Sequence, residues 1–250
     1  MVVDVLVSVI IPSYNRFDNL LKAIESVKNQ SFQDFEIIVV NDASTDERYY
    51  KHDFGSKVKV INLKKNSVEE KGYFSDSIRN YGIENSESKY IAFLDDDDYW
   101  MPNKLELQIK KLESSEYRMT CSESYANNGE YREENDNKLY NGELMFEEIS
   151  KIYRQSSLKK DYVKKFTFQF TFPEVWTLKF LKIHNCIITS SVVVERSLLN
   201  QVGNFRDIQT KKLYSDYDCW LGLLSHTDCY YFDGPLLYYD LNIGMNEKTL

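Results

Sequence analysis

The sequence predicts an α/β protein built on a mostly parallel central sheet. Three near-continuous apolar runs, rich in β-branched residues, lie at 5–12, 35–40 and 90–94. Such runs are typical of strands that are covered on both faces. Because helical patterns separate them, a doubly wound sheet with helices on both faces is expected for the first half of the chain.

The first strand and its helix begin this alternation. Polar residues 13–16 follow the strand. Asp18 is then a candidate N-cap, because a short carboxylate can accept hydrogen bonds from the first free amides of a helix. Leu20, Ile24 and Val27 recur at helical spacing and predict its buried face. The second apolar run completes a strand–helix–strand unit.

The alternation continues to about residue 120. A third strand is expected at 57–63, and a helix at 75–85 despite Gly82 in its interior. The fourth strand, 90–94, leads through a polar loop into another helix. Pro102 suits the first turn of that helix, where the amide hydrogen that proline lacks would have no partner.

Beyond residue 120 the patterns no longer alternate. Residues 122–138 are polar and predict an exposed loop or a weak hairpin. Without an internal repeat or a linker-like segment, the sequence predicts a single domain over 1–250. The remaining expected elements are helices at 142–154, 197–202 and 215–225, and strands at 164–172 and 186–194.

The composition excludes some classes of function. The chain has 250 residues, 42% of them hydrophobic, and a formal net charge of −8. Nucleic-acid backbones are bound mainly through clustered Lys and Arg, so this acidic balance argues against a nucleic-acid partner. Lysine pairs such as 64–65 are typical of a solvated face, although they could also contact an anionic membrane.

The cysteines and the N-terminus bear on location. The four cysteines, at 121, 186, 219 and 229, show no CxxC spacing, which favours neither a zinc site nor a disulfide framework. No apolar stretch approaches the length of a membrane span, and no signal-type core follows a basic N-terminus. We expect a cytoplasmic protein, with peripheral membrane contact as an alternative.

Four consecutive aspartates, 95–98, follow the fourth strand directly. Adjacent carboxylates repel one another, so a strand that delivers four of them to one place predicts a divalent cation and a phosphate-bearing ligand. A solvated acidic loop is the alternative. The loops 13–16 and 41–46 also follow strands, and ligands of such sheets bind beyond the carboxyl ends of the strands.

These loops belong to longer segments that can be compared with known families. In chain order the segments are 9–16 (VIIPSYNR), 39–46 (VVNDASTD), 79–83 (RNYGI), 93–98 (FLDDDD), 202–205 (VGNF) and 215–221 (SDYDCWL). The set closely resembles family 2 of the nucleotide-sugar glycosyltransferases, which have the GT-A fold. The resemblance covers about residues 5–240 and is weakest at 122–180.

The resemblance implies a Rossmann-like, mostly parallel sheet flanked by helices, with a smaller C-terminal region on the acceptor side. Residues 1–120 would bind the nucleotide sugar and residues 121–250 the acceptor. The implied activity is metal-dependent, inverting transfer of a hexosyl or related group from a nucleotide sugar, with UDP favoured. The acceptor would be a hydroxyl of a glycan, a lipid-linked molecule or a protein.

By the same resemblance, the acidic run is a DXD-type motif for Mn or Mg. Asp97 is the expected metal ligand with Asp95 in support, and Asp96 contacts the ribose or the metal. Which of the four aspartates binds the metal directly stays open. Few protein ligands are needed, since diphosphate oxygens and waters can complete the coordination.

The resemblance also assigns the donor-binding residues. Pro12, Tyr14 and Asn15 would line the base and ribose, and Asp42 would accept hydrogen bonds from the base or the ribose hydroxyls. Arg79 would bring a positive charge to the donor phosphates or sugar. A surface ion pair is the alternative for Arg79.

Asp216 matches the general base of the family, which takes the proton from the acceptor hydroxyl. Ser215 stands where the family commonly has Glu, and the stretch 239–242 lacks the family's Arg or His. Asp218 is expected to be structural. Trp100, beside the acidic run, is the best tryptophan candidate for stacking on a sugar ring.

Other functions stay open. The altered residues at 215 and 239–242 would also suit a non-catalytic nucleotide-sugar-binding or scaffold protein on the same fold. A cation-binding structural domain without nucleotide affinity is a third reading. Nucleotidyl transfer is disfavoured, because the chain lacks a Gly-rich, Lys-containing phosphate loop.

Overall fold

The computed structural model describes residues 5–71, 77–128, 137–155, 172–207 and 215–241. Nearly all of the strand predicted at 164–172 lies outside the described residues.

The first half of the chain alternates strands and helices, as the sequence predicts. The strands are β1 (Val7–Ser13), β2 (Phe35–Asn41), β3 (Val58–Asn62), β4 (Tyr90–Phe93) and a short β5 (Tyr99–Trp100). The helices are α1 (Phe17–Lys28), α2 (Arg48–Lys51), α3 (Ser67–Lys71), α4 (Ile78–Glu84) and α5 (Lys104–Glu113).

The second half mixes short elements with two long strands. The strands are β6 (Met119–Asn127), β7 (Lys138–Leu139), β8 (Val175–Trp176), β9 (Val193–Glu195) and β10 (Cys229–Asp240). The helices are a π-helical turn (Tyr140–Leu144), α6 (Phe146–Gln155), α7 (Leu178–Leu181), a 3₁₀ turn (Thr189–Ser191), α8 (Arg196–Val202) and α9 (Ser215–Leu223).

All described strands join one mixed sheet. The order along it is β3-β2-β1-β4-β9-β6-β10-β5, while β7 pairs with β6 and β8 with β10. The first four strands are mutually parallel, as expected. β9 runs antiparallel to both β4 and β6, and β6 is parallel to β10. The short β9 therefore connects the two halves of the sheet.

The sheet separates two apolar cores. Successive side chains of a strand point to opposite faces, so β1 contributes to both layers. Val9 and Ile11 pack in the same core as Leu20 of α1, whereas Ile10 packs with Ile83 of α4 on the other face. All five side chains are essentially buried. Helices on both faces explain the continuous apolar run, since neither side of β1 meets water.

Gly82 lets α4 approach the sheet closely. A Cβ at this position would lie 2.6 Å from Cγ2 of Ile10, well inside the usual contact distance of apolar carbons. Glycine therefore stands in the interior of α4 for a packing reason, although it lowers helix propensity.

The expected loop at 122–138 is wrong for 122–127, which continue β6. Ser122, Glu123 and Ser124 are buried, so a polar sequence conceals an internal strand. Part of the hairpin alternative is confirmed, because Tyr125 of β6 pairs with Leu139 of β7.

Two predicted helix starts are wrong. Asp18 lies within the first turn of α1, where Arg16 occupies the N-cap position without a side-chain cap bond. The carboxylate of Asp18 instead accepts a hydrogen bond from Arg48. Pro102 precedes the first residue of α5, Lys104, and so lies outside its first turn.

The strand predicted at 186–194 is shorter than expected, because a 3₁₀ turn at Thr189–Ser191 precedes β9. In the described part of the chain, no helix has both the length and the apolar character needed to cross a bilayer.

Candidate active site at the carboxyl edge of the sheet

The loops after β1 and β2 meet through Asn15. Its side-chain oxygen accepts hydrogen bonds from the backbone amides of Thr45 at 2.8 Å and Asp46 at 3.3 Å. Both loops contain a left-handed residue, Asn15 with φ 52° and Ala43 with φ 57°. That conformation costs a non-glycine residue roughly 1–2 kcal/mol. The two loops are therefore held in a shape that the local sequence alone does not favour.

Asp42 is buried at the end of β2, and both of its carboxylate oxygens have partners. Oδ1 accepts from the amide of Ser67 at 2.9 Å, and Oδ2 accepts from the Ser67 hydroxyl at 2.7 Å and from Nδ2 of Asn66 at 3.1 Å. In this structure Asp42 anchors the start of α3 beside the loop 41–46. Any contact with a nucleotide would be additional to these bonds.

Tyr14 and Pro12 differ in what they offer a ligand. The ring of Tyr14 is 42% exposed beside the converging loops, and an exposed aromatic face can stack on a base. Pro12 is buried in β1 opposite Val40, so it shapes the strand end.

Arg79 of α4 makes an ion pair with Asp95, the first of the four aspartates 95–98 that form the acidic loop after β4. Its guanidinium contacts the carboxylate of Asp95. The Arg79 side chain is 4% exposed and that of Asp95 is 30% exposed, which excludes the alternative of an ordinary surface ion pair. The amide of Asp95 donates to Oγ of Ser190 at 3.0 Å. The acidic loop is thus tied both to α4 and to the turn before β9.

Arg16, which is not among the predicted site residues, bridges the next two aspartates. Its Nη1 lies 3.2 Å from Oδ1 of Asp96 and 3.2 Å from Oδ2 of Asp97. The sequence signal was its position directly after the first strand, in the loop expected to meet the acidic run. Ser13, the last residue of β1, donates a hydrogen bond to Oδ2 of Asp96 at 2.6 Å.

The acidic loop carries more negative charge than its arginines neutralise. Burial raises the pKa of Asp96 to about 6, against the opposing charge of Arg16. Burial, followed by the charges of Asp95 and Asp96, raises the pKa of Asp97 to about 7. A carboxyl group whose pKa is raised this far has too little positive charge or water nearby to stabilise its ionised form.

Asp98 is the most deeply buried of the four. Its Oδ1 accepts from the amide of Asp240 at 3.2 Å, which ties the end of β10 to the acidic loop. Within the described residues, its buried Oδ2 has no hydrogen-bond partner. Burial and the charges of Asp97 and Asp95 raise the pKa of Asp98 well above its ordinary value.

These carboxylates fit a hard divalent cation, although they do not form a complete ligand set. Across the described ranges, no three His, Cys, Asp or Glu side chains are grouped to hold a metal ion. The two aspartates predicted as metal ligands, Asp95 and Asp97, keep 30% and 13% of their side chains exposed, whereas Asp96 and Asp98 turn inward. Mg and Mn prefer oxygen ligands and complete their shells with phosphate and water.

Asp216 lies in the first turn of α9, near one member of an aromatic pair whose other member lies near the acidic loop. The rings of Tyr140 and Tyr239 meet edge to face, with centroids 5.4 Å apart. Burial raises the pKa of Tyr140, and nearby negative charges that include Asp216 raise it further. Burial likewise raises the pKa of Tyr239, and the charge of Asp98 adds to it. The tyrosine pair therefore lies within reach of both acidic groups.

The other predicted residues of this region are structural. Asp218 accepts two hydrogen bonds from Arg206, at 2.8 and 2.6 Å, which agrees with its expected structural role. Trp100 is buried, and its indole donates to the carbonyl of Ser190 at 2.9 Å. The expectation that Trp100 stacks on a sugar is therefore wrong, because its ring is buried in the core, where it faces Nζ of Lys104.

Comparison with known proteins identifies the family. The model of Glycosyl transferase family 2 matches residues 8–173, a span that includes the converging loops and the acidic run. The chain belongs to Glycosyl transferase family 2. The family resemblance found in the sequence is thereby confirmed.

Two relatives of the chain extend this result. The chain is 46% identical over 114 residues to an uncharacterised glycosyltransferase of Rickettsia bellii, matching 46% of this chain and 16% of that protein. It is 36% identical over 123 residues to the Escherichia coli UDP-Glc:alpha-D-GlcNAc-diphosphoundecaprenol beta-1,3-glucosyltransferase WfaP, matching 48% of this chain and 46% of WfaP. The matched regions thus span less than half the length of either relative.

The GT-A fold is confirmed by a solved structure. S. aureus TarS 1–349, crystallised in complex with UDP-GlcNAc, superposes with a TM-score of 0.66 at 20% sequence identity. The alignment covers 98% of this chain and 61% of that one. The expected α/β class, with helices flanking the sheet, is therefore correct, and the sheet is mixed, with parallel pairing among β1–β4.

Proposed function

We propose that this chain is a metal-dependent, inverting glycosyltransferase that moves a sugar from a UDP-sugar to a hydroxyl of a glycan, a lipid-linked molecule or a protein. Residues of about 1–120 would bind the donor, and residues of about 121–250 the acceptor. The names of relatives support the donor class, since WfaP is named for UDP-Glc and TarS was crystallised with UDP-GlcNAc. A lipid-linked acceptor would bring the chain to a membrane surface, where the exposed Lys64 and Lys65 could contact anionic lipid.

The observation that carries the proposal is the arrangement of the acidic groups. Asp95 and Asp97 keep part of their carboxylates exposed at the edge of the sheet. The charge of Asp216 acts on Tyr140, and the charges of Asp95, Asp97 and Asp98 act on Tyr239, whose ring contacts that of Tyr140. An acidic loop beside two arginines and a second acid near the same tyrosine pair suit a reaction that needs a neutralised leaving group and a base.

Inversion requires the acceptor oxygen to attack the anomeric carbon opposite the diphosphate. Asp216 would accept the hydroxyl proton as the new C–O bond forms, while the bond to the diphosphate breaks and leaves its electron pair on the departing oxygen. The guanidinium groups of Arg79 and Arg16 would offset the charge that develops there. A cation bound through Asp97 and Asp95 would supply further charge neutralisation.

The test is a calorimetric titration of the purified chain with UDP, with and without MnCl₂, followed by assays of UDP-glucose and UDP-GlcNAc hydrolysis. We expect manganese to strengthen UDP binding and Asp97→Ala to abolish that effect. Asp34→Ala, an exposed aspartate before β2, is the control. If no donor is bound or hydrolysed and Asp97→Ala changes nothing, the proposal is wrong.

The second candidate function is a non-catalytic nucleotide-sugar-binding protein on the same fold. Ser215, beside the expected base, is the observation that favours it, because the family commonly has a second acid there. Binding of UDP and manganese without turnover of a broad acceptor panel would support this alternative.

A further inference from the structure

We infer that Tyr49 is a positioning residue of the donor site, which acts through Ser13 on Asp96. The inference rests on the proposed function, and it concerns a residue that lies outside the acidic loop and the segments that resemble the family. Tyr49 belongs to α2, the short helix that follows the loop after β2.

A chain of short hydrogen bonds connects Tyr49 to the acidic loop. The phenolic oxygen of Tyr49 lies 2.5 Å from Oγ of Ser13, and Ser13 donates to Oδ2 of Asp96 at 2.6 Å. The backbone amide of Arg16 donates to the same phenolic oxygen at 2.9 Å. Tyr49 thus contacts both the residue that holds Asp96 and the backbone of the arginine that bridges Asp96 and Asp97.

Counting hydrogens fixes the direction of this chain. An ionised carboxylate only accepts, so the single hydrogen of the Ser13 hydroxyl is directed to Asp96. The Ser13 oxygen must then accept from Tyr49, whose own oxygen accepts from the amide of Arg16. The hydroxyls of Tyr49 and Ser13 therefore each accept one hydrogen bond and donate another towards Asp96. In such a chain, neighbouring hydrogen bonds strengthen one another.

Burial makes these bonds the main constraint on Asp96. Tyr49 is 2% exposed, Ser13 4% and Asp96 4%, so water does not compete for their polar groups. The other oxygen of Asp96 is held by Arg16. Both oxygens of the Asp96 carboxylate are therefore held in place. Removing the Tyr49 hydroxyl would free the Ser13 side chain to rotate away from Oδ2 of Asp96.

The ring of Tyr49 is held independently of its hydroxyl. It packs edge to face on Phe17, with centroids 5.4 Å apart. Tyr49→Phe should therefore remove the hydroxyl and leave the ring in place, which makes it a clean test.

Tyr90→Phe is the matched control. Tyr90 is 3% exposed, and its hydroxyl donates to Oε1 of Glu113 at 2.7 Å. It is thus a second buried tyrosine that holds a carboxylate, but it lies at the start of β4, whereas the acidic loop follows the end of that strand. Both variants lose the hydroxyl of a buried tyrosine, but only Tyr49 contacts the proposed donor site.

The measurement is UDP affinity in the presence of MnCl₂, by calorimetry, for wild type, both Tyr→Phe variants, Ser13→Ala and the Tyr49→Phe/Ser13→Ala double variant. We expect Tyr49→Phe and Ser13→Ala each to weaken binding about tenfold, the scale typical of groups that orient ligand-binding side chains. The double variant should lose little more than either single one, because both act through one chain of bonds. Tyr90→Phe should bind like wild type.

Each outcome decides between the claims. If wild type binds neither UDP nor manganese, the proposed function fails and the role of Tyr49 fails with it. If wild type binds and Tyr49→Phe binds equally well, only the role of Tyr49 is overturned. Equal losses in Tyr49→Phe and Tyr90→Phe, or fully additive losses in the double variant, would overturn it too. Should Tyr49→Phe fold poorly, Ser13→Ala against Tyr90→Phe gives the same decision.

Discussion

The guanidinium of Arg79 lies almost wholly inside the protein, where it holds the carboxylate of Asp95 at the carboxyl end of β4. The ion pair joins α4 to the acidic loop. Breaking a buried pair by removing one partner is far more costly than breaking a surface pair.

Arg79→Met should therefore destabilise the chain by about 2–3 kcal/mol, below the range for fully buried pairs because Asp95 is partly exposed. Urea unfolding measures the loss. Arg118→Met is the control, because Arg118 pairs with Glu195 and both side chains are partly exposed. That substitution should cost about 1 kcal/mol or less. Equal losses in the two variants would contradict the buried role of Arg79.

Asp216 and Asp218 offer a test of the base within one helix. Asp216→Asn keeps the shape of the side chain but cannot accept a proton, so transfer should fall by about 10²–10⁴-fold while UDP binding is retained. Asp218→Asn weakens the pair with Arg206 and should lower stability more than transfer rate. Rapid transfer by Asp216→Asn, measured with any acceptor that wild type uses, would exclude Asp216 as the base.

Lys104 should make stability depend on pH. It is fully buried beside Trp100, its Nζ donates to Gln108 at 2.5 Å, and burial lowers its pKa well below the ordinary value. Below pH 10.5 the unfolded chain takes up the proton more readily than the folded chain, so stability is lost as pH falls towards the folded pKa. The slope is at most about 1.4 kcal/mol per pH unit.

Lys104→Met should remove this slope. The measurement is the free energy of unfolding between pH 7 and 10 for wild type, Lys104→Met and Lys110→Met, an exposed lysine of the same helix. Wild type and Lys110→Met should gain stability relative to Lys104→Met as pH rises. Parallel curves for all three proteins would show that Lys104 stays charged when folded.

Gly82 and Gly222 form a matched pair of helical glycines. A Cβ at Gly82 would lie 2.6 Å from Ile10 in the core, whereas at Gly222 the nearest atom, from Val202, would be 3.4 Å away. Gly82→Ala should destabilise the chain by about 1–3 kcal/mol through overpacking. Gly222→Ala should be neutral or stabilising, since alanine favours a helix. Thermal unfolding of both variants checks the difference, and a stabilised Gly82→Ala would contradict the close packing.

The first half of the fold could be predicted because its signals are local. Val9, Ile10 and Ile11 form a continuous apolar run, and this run indicates a strand with a helix layer on each side. The second half could not be predicted in the same way. Ser122, Glu123 and Ser124 are polar, yet they are buried in β6, because tertiary packing rather than the local sequence pattern decides their burial.

The sequence by itself determined the α/β class, the family and the three polar loops at the ends of strands, because strand periodicity and ordered motifs are properties of the chain. Only the tertiary structure decided which groups meet. It brought Arg16 to Asp96 and Asp97, Arg79 to Asp95, and Tyr49 to Ser13. Such pairs are distant in the chain, and their geometry depends on how the strands align in the sheet and which side chains burial forces together.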